Sequence, residues 1–331
     1  MIIKPSEIQF KQKKIRMLIA GFPGIGKTTL ALSAPKPLYI DVDLSAERVD
    51  PEVLNRAAGY DAARTYDELK KDLGMGLSPI ELQQVKKDFE AYETIIIDTG
   101  GKLQDIISTF GIKLDPKYGQ RDGSLSLKGY GWLNDECNRL LNHIIYELDK
   151  HVIIIFHAIE EKDGDDTKLR IKAKGSFKAS VWELMDIGGF IEMRGNNRTI
   201  GFSNCERYFA KGTRGIKGVY TIPELTAGTP NDFVSKLFEE YNKTATAAQE
   251  AAVKDTAAYD AIMGEVKAII DQVEDAESAN FAMGQLLEMD HVLTSKKESS
   301  SMLSKKAKEL GLFYDKVLKS YTPAPEKDGA Q

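Results

Sequence analysis

Residues 21–28 read Gly21-Phe-Pro-Gly-Ile-Gly-Lys27-Thr28, which fits the phosphate-binding pattern G-x-x-x-x-G-K-[ST]. The stretch follows an apolar run at residues 15–20 that predicts a strand, and it precedes a predicted helix that begins at residue 29. Glycines at positions 21, 24 and 26 allow successive N–H groups to point into one concavity, and the positive end of the helix favours phosphate there. The motif in this context predicts a binding site for a nucleoside triphosphate.

Every residue of this loop is a predicted nucleotide contact, and two have more specific roles. The Lys27 ammonium group is expected to reach the β and γ phosphates, and the Thr28 hydroxyl is expected to bind Mg²⁺. The predicted contacts are Gly21, Phe22, Pro23, Gly24, Ile25, Gly26, Lys27, Thr28 and Thr29.

Two acidic residues at strand ends complete the predicted site. A magnesium ion needs a second anchor, usually an acid that ends an apolar strand beside the loop, and Asp98 ends the run TIIID. Thr28 and Asp98 are therefore the predicted metal ligands. Asp43 follows the apolar strand at residues 37–42 and is predicted to orient the attacking water. Either aspartate can instead cap a helix, and Asp43 can be a solvated acid, so these alternatives stay open.

The remaining pattern predicts an α/β fold with a mainly parallel central sheet. Short apolar runs rich in β-branched residues alternate with segments of helical spacing, as in sheets that helices cover on both faces. After residue 186 short alternating strands predict an antiparallel extension of the sheet. The predicted central strands are 15–20, 37–42, 94–98 and 152–157, and the predicted crossover helices are 78–92 and 132–148.

Composition divides the chain into a main body and a small C-terminal part. The net charge is −5, and residues 244–331 account for it with 10 lysines against 15 acidic residues, so the main body is neutral. The predicted parts are an ATPase-type domain at 1–243, a linker at 244–260 whose composition also fits an exposed helix, a small helical module at 261–322 with helices at 262–273 and 301–321, and a disordered tail at 323–331.

Other features of the sequence exclude several classes. No run approaches the roughly 18 apolar residues that a membrane-spanning helix needs, and residues 1–14 lack the apolar stretch of a signal peptide. Cys137 and Cys205 form no pair with metal-ligand spacing, so neither a zinc site nor a disulfide framework is expected. These features predict a soluble cytoplasmic protein that does not contact membranes.

The order of these motifs resembles the RecA-like P-loop ATPase core. More narrowly, the chain resembles the phage nucleotide-binding proteins of that superfamily, the AAA-type, RecA-like ATPases of single-strand annealing and recombination modules. The resemblance covers roughly residues 10–240. It rests on GFPGIGKTT (21–29), PLYIDVD (37–43), ETIIIDT (93–99), KGYGWLNDECNRLL (128–141), VIIIFHAIEEKD (152–163) and AKGTRG (210–215).

The resemblance implies a set of catalytic roles. It implies ATP as the nucleotide, with Mg²⁺, and a location in the host cytoplasm if the protein is phage-encoded. Asp43 stands where RecA-like enzymes carry a catalytic glutamate, and its side chain is one methylene shorter, so slow turnover is expected. His157 stands at a position that senses the γ-phosphate, although a histidine can also simply close a strand. Lys211 and Arg214 are implied to reach the nucleotide of a neighbouring subunit in a ring or filament; two exposed cations are the alternative.

The resemblance also implies contacts with single-stranded DNA. Cations at alternate positions from Lys168 to Lys174 would share one face of an extended segment and suit a phosphate backbone. The predicted contacts are Arg170, Lys172 and Lys174, with Phe177 stacking on a base and Lys128 in the long loop at 115–131. A solvated hairpin at the sheet edge is the alternative.

Three functions are compatible with these features. The leading hypothesis is an ATPase that binds single-stranded DNA in recombination or single-strand annealing. The alternative is a replication loader or assembly switch that acts on a protein partner through the acidic C-terminal tail. A small-molecule P-loop kinase is disfavoured because no compact arginine-rich lid segment stands out.

Overall fold

The structure, a computed structural model, describes residues 13–164, 166–224 and 231–323. Contacts divide the chain after Ala245 into two units. The larger unit is built on a sheet of the strands β1 (Arg16–Gly21), β2 (Pro37–Asp41), β3 (Gly59–Asp61), β4 (Thr94–Asp98), β5 (His151–Asp163), β6 (Asp166–Ile171), β7 (Ile187–Arg194), β8 (Asn197–Gly201) and β9 (Val219–Thr221).

The sheet is parallel in its centre and antiparallel at one edge. Its order is β3-β2-β4-β5-β1-β7-β8-β9, with β6 paired to the far end of β5. In this order the six strands β3, β2, β4, β5, β1 and β7 run parallel, whereas β6, β8 and β9 are antiparallel to their neighbours. The predicted α/β fold with an antiparallel extension is confirmed.

Helices cover the sheet and alternate with its parallel strands. They are α1 (Lys27–Ala31), α2 (Pro51–Leu54), α3 (Tyr66–Asp72), α4 (Pro79–Asp88), α5 (Gly100–Leu114), α6 (Leu127–Asn142) and α7 (Phe177–Leu184), with a π-helical turn at His143–Glu147. Capping boxes at Thr65 and Ser78 begin α3 and α4. In each box the hydroxyl oxygen accepts from the backbone N–H of a glutamate three residues on, and that glutamate's carboxylate accepts from the backbone N–H of the capping residue.

The central strands are buried on both faces. In β4, Ile95 and Ile97 join one apolar core, and Ile96 joins the core on the opposite face. Successive side chains of a strand point to opposite faces, so a strand covered on both sides needs a continuous apolar run. This requirement explains why these strands were recognisable in the sequence.

The sheet order separates the phosphate-loop strand from the strand that ends in Asp98. The strand β5 lies between them and pairs with both. In this register His157 is level with Gly21, and Asp98 is level with Ile155. The carboxyl ends of β1, β2 and β4 therefore meet at one edge of the sheet, and β5 continues past this edge from His157 to Asp163.

The smaller unit contains α9 (Ala276–Glu288), α10 (Ser295–Glu309) and a hairpin of β10 (Leu312–Asp315) and β11 (Ser320–Pro323). The helix α8 (Phe233–Asp271) passes through the division at Ala245. The apolar core of the smaller unit includes Val266, Ala282 and Leu303.

Residues 244–260, expected as a linker or an exposed helix, are helical, since their many alanines and their Gln, Glu and Lys residues have high helix propensity. One prediction for the C-terminal part is wrong. The helix expected at 301–321 ends at Glu309, where Gly311 takes a φ of +71° and the chain turns into the hairpin. The predicted disordered tail lies, apart from Pro323, outside the described residues. None of the described helices is long and apolar enough to cross a membrane.

Candidate nucleotide-binding site

The phosphate loop connects β1 to α1 through glycines in a left-handed backbone conformation. The φ angles of Gly24 and Gly26 are +76° and +89°, a region that residues with a side chain rarely occupy. Gly26 is the N-terminal cap of α1, and no side chain caps this helix. The first N–H groups of the helix are therefore available to a ligand.

Lys27 is enclosed by the loop to which it belongs. Its side chain is 6% exposed, and Nζ donates to the carbonyl oxygen of Phe22 over 2.9 Å. Burial lowers the pKa of Lys27, whereas the nearby Asp98 carboxylate opposes this shift. A bound phosphate would offer the ammonium group a charged acceptor in place of a neutral carbonyl.

Asp98 lies against the phosphate loop although β5 separates their strands. Its Oδ2 accepts from the Thr28 hydroxyl over 2.7 Å and from the Tyr39 hydroxyl over 3.3 Å. Burial raises the pKa of Asp98 to about 6, opposed by the Thr28 hydrogen bond and by Lys27. Asp98 does not cap α5, since Thr99 holds that position and accepts from the N–H of Lys102.

Thr28 and Asp98 fit a magnesium ion by the chemistry of their donor atoms. A hydroxyl and a carboxylate are hard oxygen ligands, which Mg²⁺ prefers. Within the described ranges no three His, Cys, Asp or Glu side chains come together as a metal cluster. Such a pair suits an ion that takes its other ligands from phosphate oxygens and water.

The two aspartates after β2 have different environments. Asp41 is fully buried and accepts from the N–H groups of Ser45 and Ala46 over 3.0 and 2.7 Å, so it stabilises the turn. Asp43 is half-buried and lines the cavity beside the phosphate loop, while its N–H donates to the Asp98 carbonyl over 3.1 Å. Of the two carboxylates, Asp43 is the one placed to meet a ligand.

A cavity of about 330 Å³ lies over the phosphate loop. Its walls come from the loop, from the end of β4, from His157 in the middle of β5, and from the segment after β2. In that segment Ser45, Arg48 and Asp50 were not predicted to take part. The full lining is Pro23, Gly24, Gly26, Lys27, Thr28, Thr29, Asp43, Ser45, Arg48, Val49, Asp50, Asp98, Thr99 and His157.

His157 lies at the same end of the sheet, level with Gly21, and is half-buried. Its Nδ1 has no hydrogen-bond partner in the part of the chain that the structure describes. Burial and the Lys27 charge lower the pKa of His157, opposed by Asp43. The ring is therefore neutral near pH 7, with one nitrogen able to donate and the other able to accept.

Arg198 on β8 is a neighbour of the loop that the sequence did not reveal. A Cβ atom added to Gly26 would lie 3.3 Å from the guanidinium carbon of Arg198. The Nε of this arginine has no hydrogen-bond partner among the described residues. In the sequence Arg198 follows a Gly-Asn-Asn turn. The pattern there predicts a strand but does not indicate that this arginine lies near the phosphate loop.

The predicted DNA contacts are only partly accessible. Lys172 is exposed, whereas Lys174 pairs with Asp105 over 2.8 Å, and Arg170 lies 4.0 Å from Asp163. In the long loop, Lys128 is 4.0 Å from Asp115.

The prediction that Phe177 stacks on a base is wrong. Its side chain is 2% exposed, because it begins α7 and packs into the core near Phe156.

Lys211 and Arg214 make contacts within their own chain. Lys211 Nζ donates to the carbonyls of Trp182 and Glu183 over 3.0 and 3.2 Å, at the C-terminal end of α7. The Arg214 guanidinium lies over the Tyr241 ring, 5.5 Å from its centroid. Neither residue lines the nucleotide cavity of its own chain.

The fold and this site define a P-loop nucleoside triphosphatase. The family model described as "AAA domain" matches residues 13–214, well over half of the chain, and the chain belongs to that family.

A solved structure described as a prototypical ATPase from the type III secretion system of pathogenic bacteria is similar over 54% of this chain, at 11% identity and a TM-score of 0.33. The match spans about half, 52%, of that chain. No protein of curated function matches the chain.

Proposed function

We propose that this protein hydrolyses ATP with Mg²⁺ and couples the state of the nucleotide to the binding of single-stranded DNA, in recombination or single-strand annealing. One observation carries the proposal. The strand β5 brings His157 to the nucleotide cavity, and the His157 carbonyl accepts from the N–H of Lys172 over 2.7 Å. A side chain that lines the nucleotide cavity is thus joined directly to the cationic segment at residues 168–174.

The chain's own residues divide the work of hydrolysis. The loop N–H groups and Lys27 bind the phosphates, and Thr28 with Asp98 would hold Mg²⁺, which would offset phosphate charge during cleavage. Asp43 accepts a hydrogen bond from the attacking water, and His157 donates an N–H to the terminal phosphate or to that water. The shorter reach of an aspartate supports slow turnover.

Coupling follows from the connection between His157 and Lys172. A hydrogen bond from the imidazole to the γ-phosphate fixes β5 at His157, and Lys172 moves with it through the backbone contact. The position in which Lys172 contacts the phosphate backbone of DNA then depends on the nucleotide. Lys174 also contacts the phosphate backbone if DNA displaces Asp105. The contribution of each cation is electrostatic and falls with salt.

The test is ATP turnover and oligonucleotide binding with matched variants. We expect the labelled oligonucleotide to bind more tightly with ATP than without it, with affinity that falls steeply with salt. Lys172→Ala should weaken this binding severalfold, whereas Lys71→Ala, which removes an exposed lysine of α3 outside the nucleotide cavity, should not. Salt-independent binding, or equal loss in the two variants, would contradict the proposal.

The implied oligomer belongs to the same proposal. Lys211 and Arg214 act on a neighbouring nucleotide only if they leave Trp182, Glu183 and Tyr241, so assembly must compensate for these contacts. Light scattering during size exclusion, with and without ATP and oligonucleotide, measures the assembly. A monomer under all conditions would contradict a role in trans.

A second candidate is action on a protein partner, which the surface of the smaller unit favours. Phe281, Leu293 and Phe313 are large apolar side chains with most of their surface exposed. Exposed aromatic and aliphatic side chains of this size suit a protein interface. Under this function a Phe281→Ser/Phe313→Ser variant keeps ATP turnover, and single-stranded DNA changes neither the turnover nor the assembly. Stimulation of turnover by DNA would instead favour the first candidate.

A further inference from the structure

A second cavity, of about 460 Å³, adjoins the nucleotide cavity. The two share Asp43, Thr99 and His157, which form the boundary between them. The other walls of the second cavity are the first turns of α5 and residues 172–174. It therefore lies next to the position that the γ-phosphate of a bound nucleotide would take.

The charges that line this cavity favour an anion. Lys102, Lys172 and Lys174 face Asp43 and Asp105, and the pair of Lys174 with Asp105, at 2.8 Å, neutralises one charge of each sign. Lys102 and Lys172 have no ion-pair partner in the described ranges, so one positive charge remains in excess. The N-terminal end of α5, a helix of 15 residues, adds its partial positive charge.

Gln104 provides an independent indication of a ligand. This residue lines the cavity and is fully buried, with an exposed fraction of 0%. Its Oε1 accepts from the N–H of Lys174 over 2.7 Å, which fixes the orientation of the amide. Its Nε2 then has no acceptor among the described residues. Buried donors without a partner are rare in folded proteins, and an anion in the cavity would supply the missing acceptor.

We propose that this cavity is a phosphate-binding site beside the nucleotide. Lys102, Lys172 and the Gln104 amide contact the phosphate oxygens, and Asp43 and His157 separate this phosphate from the nucleotide. Such a group has two sources: inorganic phosphate set free by hydrolysis, or a backbone phosphate of a nucleic acid. The first source rests on the hydrolysis, and the second on the DNA binding, of the proposed function.

The experiment keeps the phosphate loop filled. The full chain is saturated with Mg²⁺ and a non-hydrolysable ATP analogue, and inorganic phosphate is titrated by calorimetry. Gln104→Glu retains the acceptor for the Lys174 N–H but replaces the free donor by an oxygen that repels phosphate. Lys172→Ala removes an exposed cation without changing the backbone. The control is Lys162→Ala, an exposed lysine of β5 outside the cavity. We expect both cavity variants, and not the control, to weaken phosphate binding by roughly tenfold or more.

A second arm distinguishes the two sources. A labelled single-stranded oligonucleotide is bound to the same proteins by fluorescence anisotropy, with and without inorganic phosphate. Competition between the two ligands, with loss of oligonucleotide binding in both cavity variants, identifies a backbone phosphate. Phosphate binding without competition identifies free phosphate.

The proposal is overturned if phosphate binds equally well to the wild type and the cavity variants. It is also overturned if phosphate does not bind and oligonucleotide binding is unchanged in both variants. A protein that binds phosphate but no oligonucleotide would refute the proposed coupling to DNA and leave this site standing. The two failures are thus distinguishable.

Discussion

Replacing Asp98 by asparagine is expected to stabilise the nucleotide-free protein while it abolishes magnesium-dependent hydrolysis. Asp98 is 3% exposed, and the hydroxyls of Thr28 and Tyr39 both donate to the same oxygen, Oδ2. An asparagine that places its carbonyl oxygen there keeps both hydrogen bonds. What the substitution removes is a buried negative charge, whose cost is visible in the raised pKa of the carboxyl group.

The size of the effect follows from that pKa. Raising the pKa of a carboxyl group from 3.8 to about 6 corresponds to about 3 kcal/mol of free energy. The folded protein holds this proton more tightly than the unfolded chain, so the free energy of unfolding falls as pH rises from 3.8 to about 6. The Asp98→Asn side chain does not titrate and has no such dependence. The variant should therefore be more stable by about 1 kcal/mol at pH 4.5 and by about 3 kcal/mol at pH 7.5.

The assay is urea unfolding in EDTA without nucleotide, followed by tryptophan fluorescence. Both tryptophans, Trp132 and Trp182, belong to the larger unit, so the signal reports the unit that contains Asp98. Other titrating groups cancel in the difference between variant and wild type. A variant that is no more stable than wild type at pH 7.5, or a difference that does not change with pH, would refute the reasoning. Addition of Mg²⁺ and ATP should stabilise the wild type more than the variant.

Three further predictions concern the site and its support. Lys27→Met should weaken ATP binding by roughly ten- to a hundredfold in calorimetry, because the phosphates lose a buried cationic donor; unchanged affinity would place the nucleotide elsewhere. Burial lowers the pKa of His151, whose Nδ1 accepts from the Ile15 N–H, from 6.5 to about 4. Between pH 7.5 and pH 5 the free energy of unfolding of the wild type should therefore fall by about 2 kcal/mol relative to that of a His151→Gln variant, measured by urea unfolding of both. Gly26→Ala should reduce both stability and ATP affinity, because Gly26 has a φ of +89° and an added Cβ would lie close to the Arg198 guanidinium. If a second substitution, Arg198→Ala, restores both fully, the contact with Arg198 and not the backbone conformation is the cause.

The sequence predicted the parts of the site that are local in the chain. The phosphate loop is one continuous segment, and its backbone conformation requires glycine at fixed positions. Its sequence pattern can therefore be recognised without knowledge of the residues that pack around it. Asp98 was predictable because a strand buried on both faces is apolar up to its end, and the first polar residue after it stands at the carboxyl edge of the sheet.

Features that depend on distant packing were not predictable. The insertion of β5 between β1 and β4 is a matter of strand order, which hydrophobic pattern does not encode. Arg198 reaches Gly26 only because β8 folds back along β7. Phe177 follows a run of cations, and the sequence predicted an exposed side chain. It is buried instead, because α7 directs that side chain into the core. In each case the deciding contact is made across a large separation in sequence.

The electrostatics of the nucleotide site explain why stability and ligand binding oppose each other here. Burial shifts the pKa of Lys27 downward, that of Asp98 upward and that of His157 downward, so each group is driven toward its uncharged form. A nucleotide with its metal ion brings both signs of charge into the cavity: the phosphates favour the charged lysine, and the metal favours the carboxylate. Burying these groups lowers the stability of the nucleotide-free protein, and nucleotide binding recovers that free energy. A variant that removes one of the groups therefore gains stability only in the absence of the nucleotide.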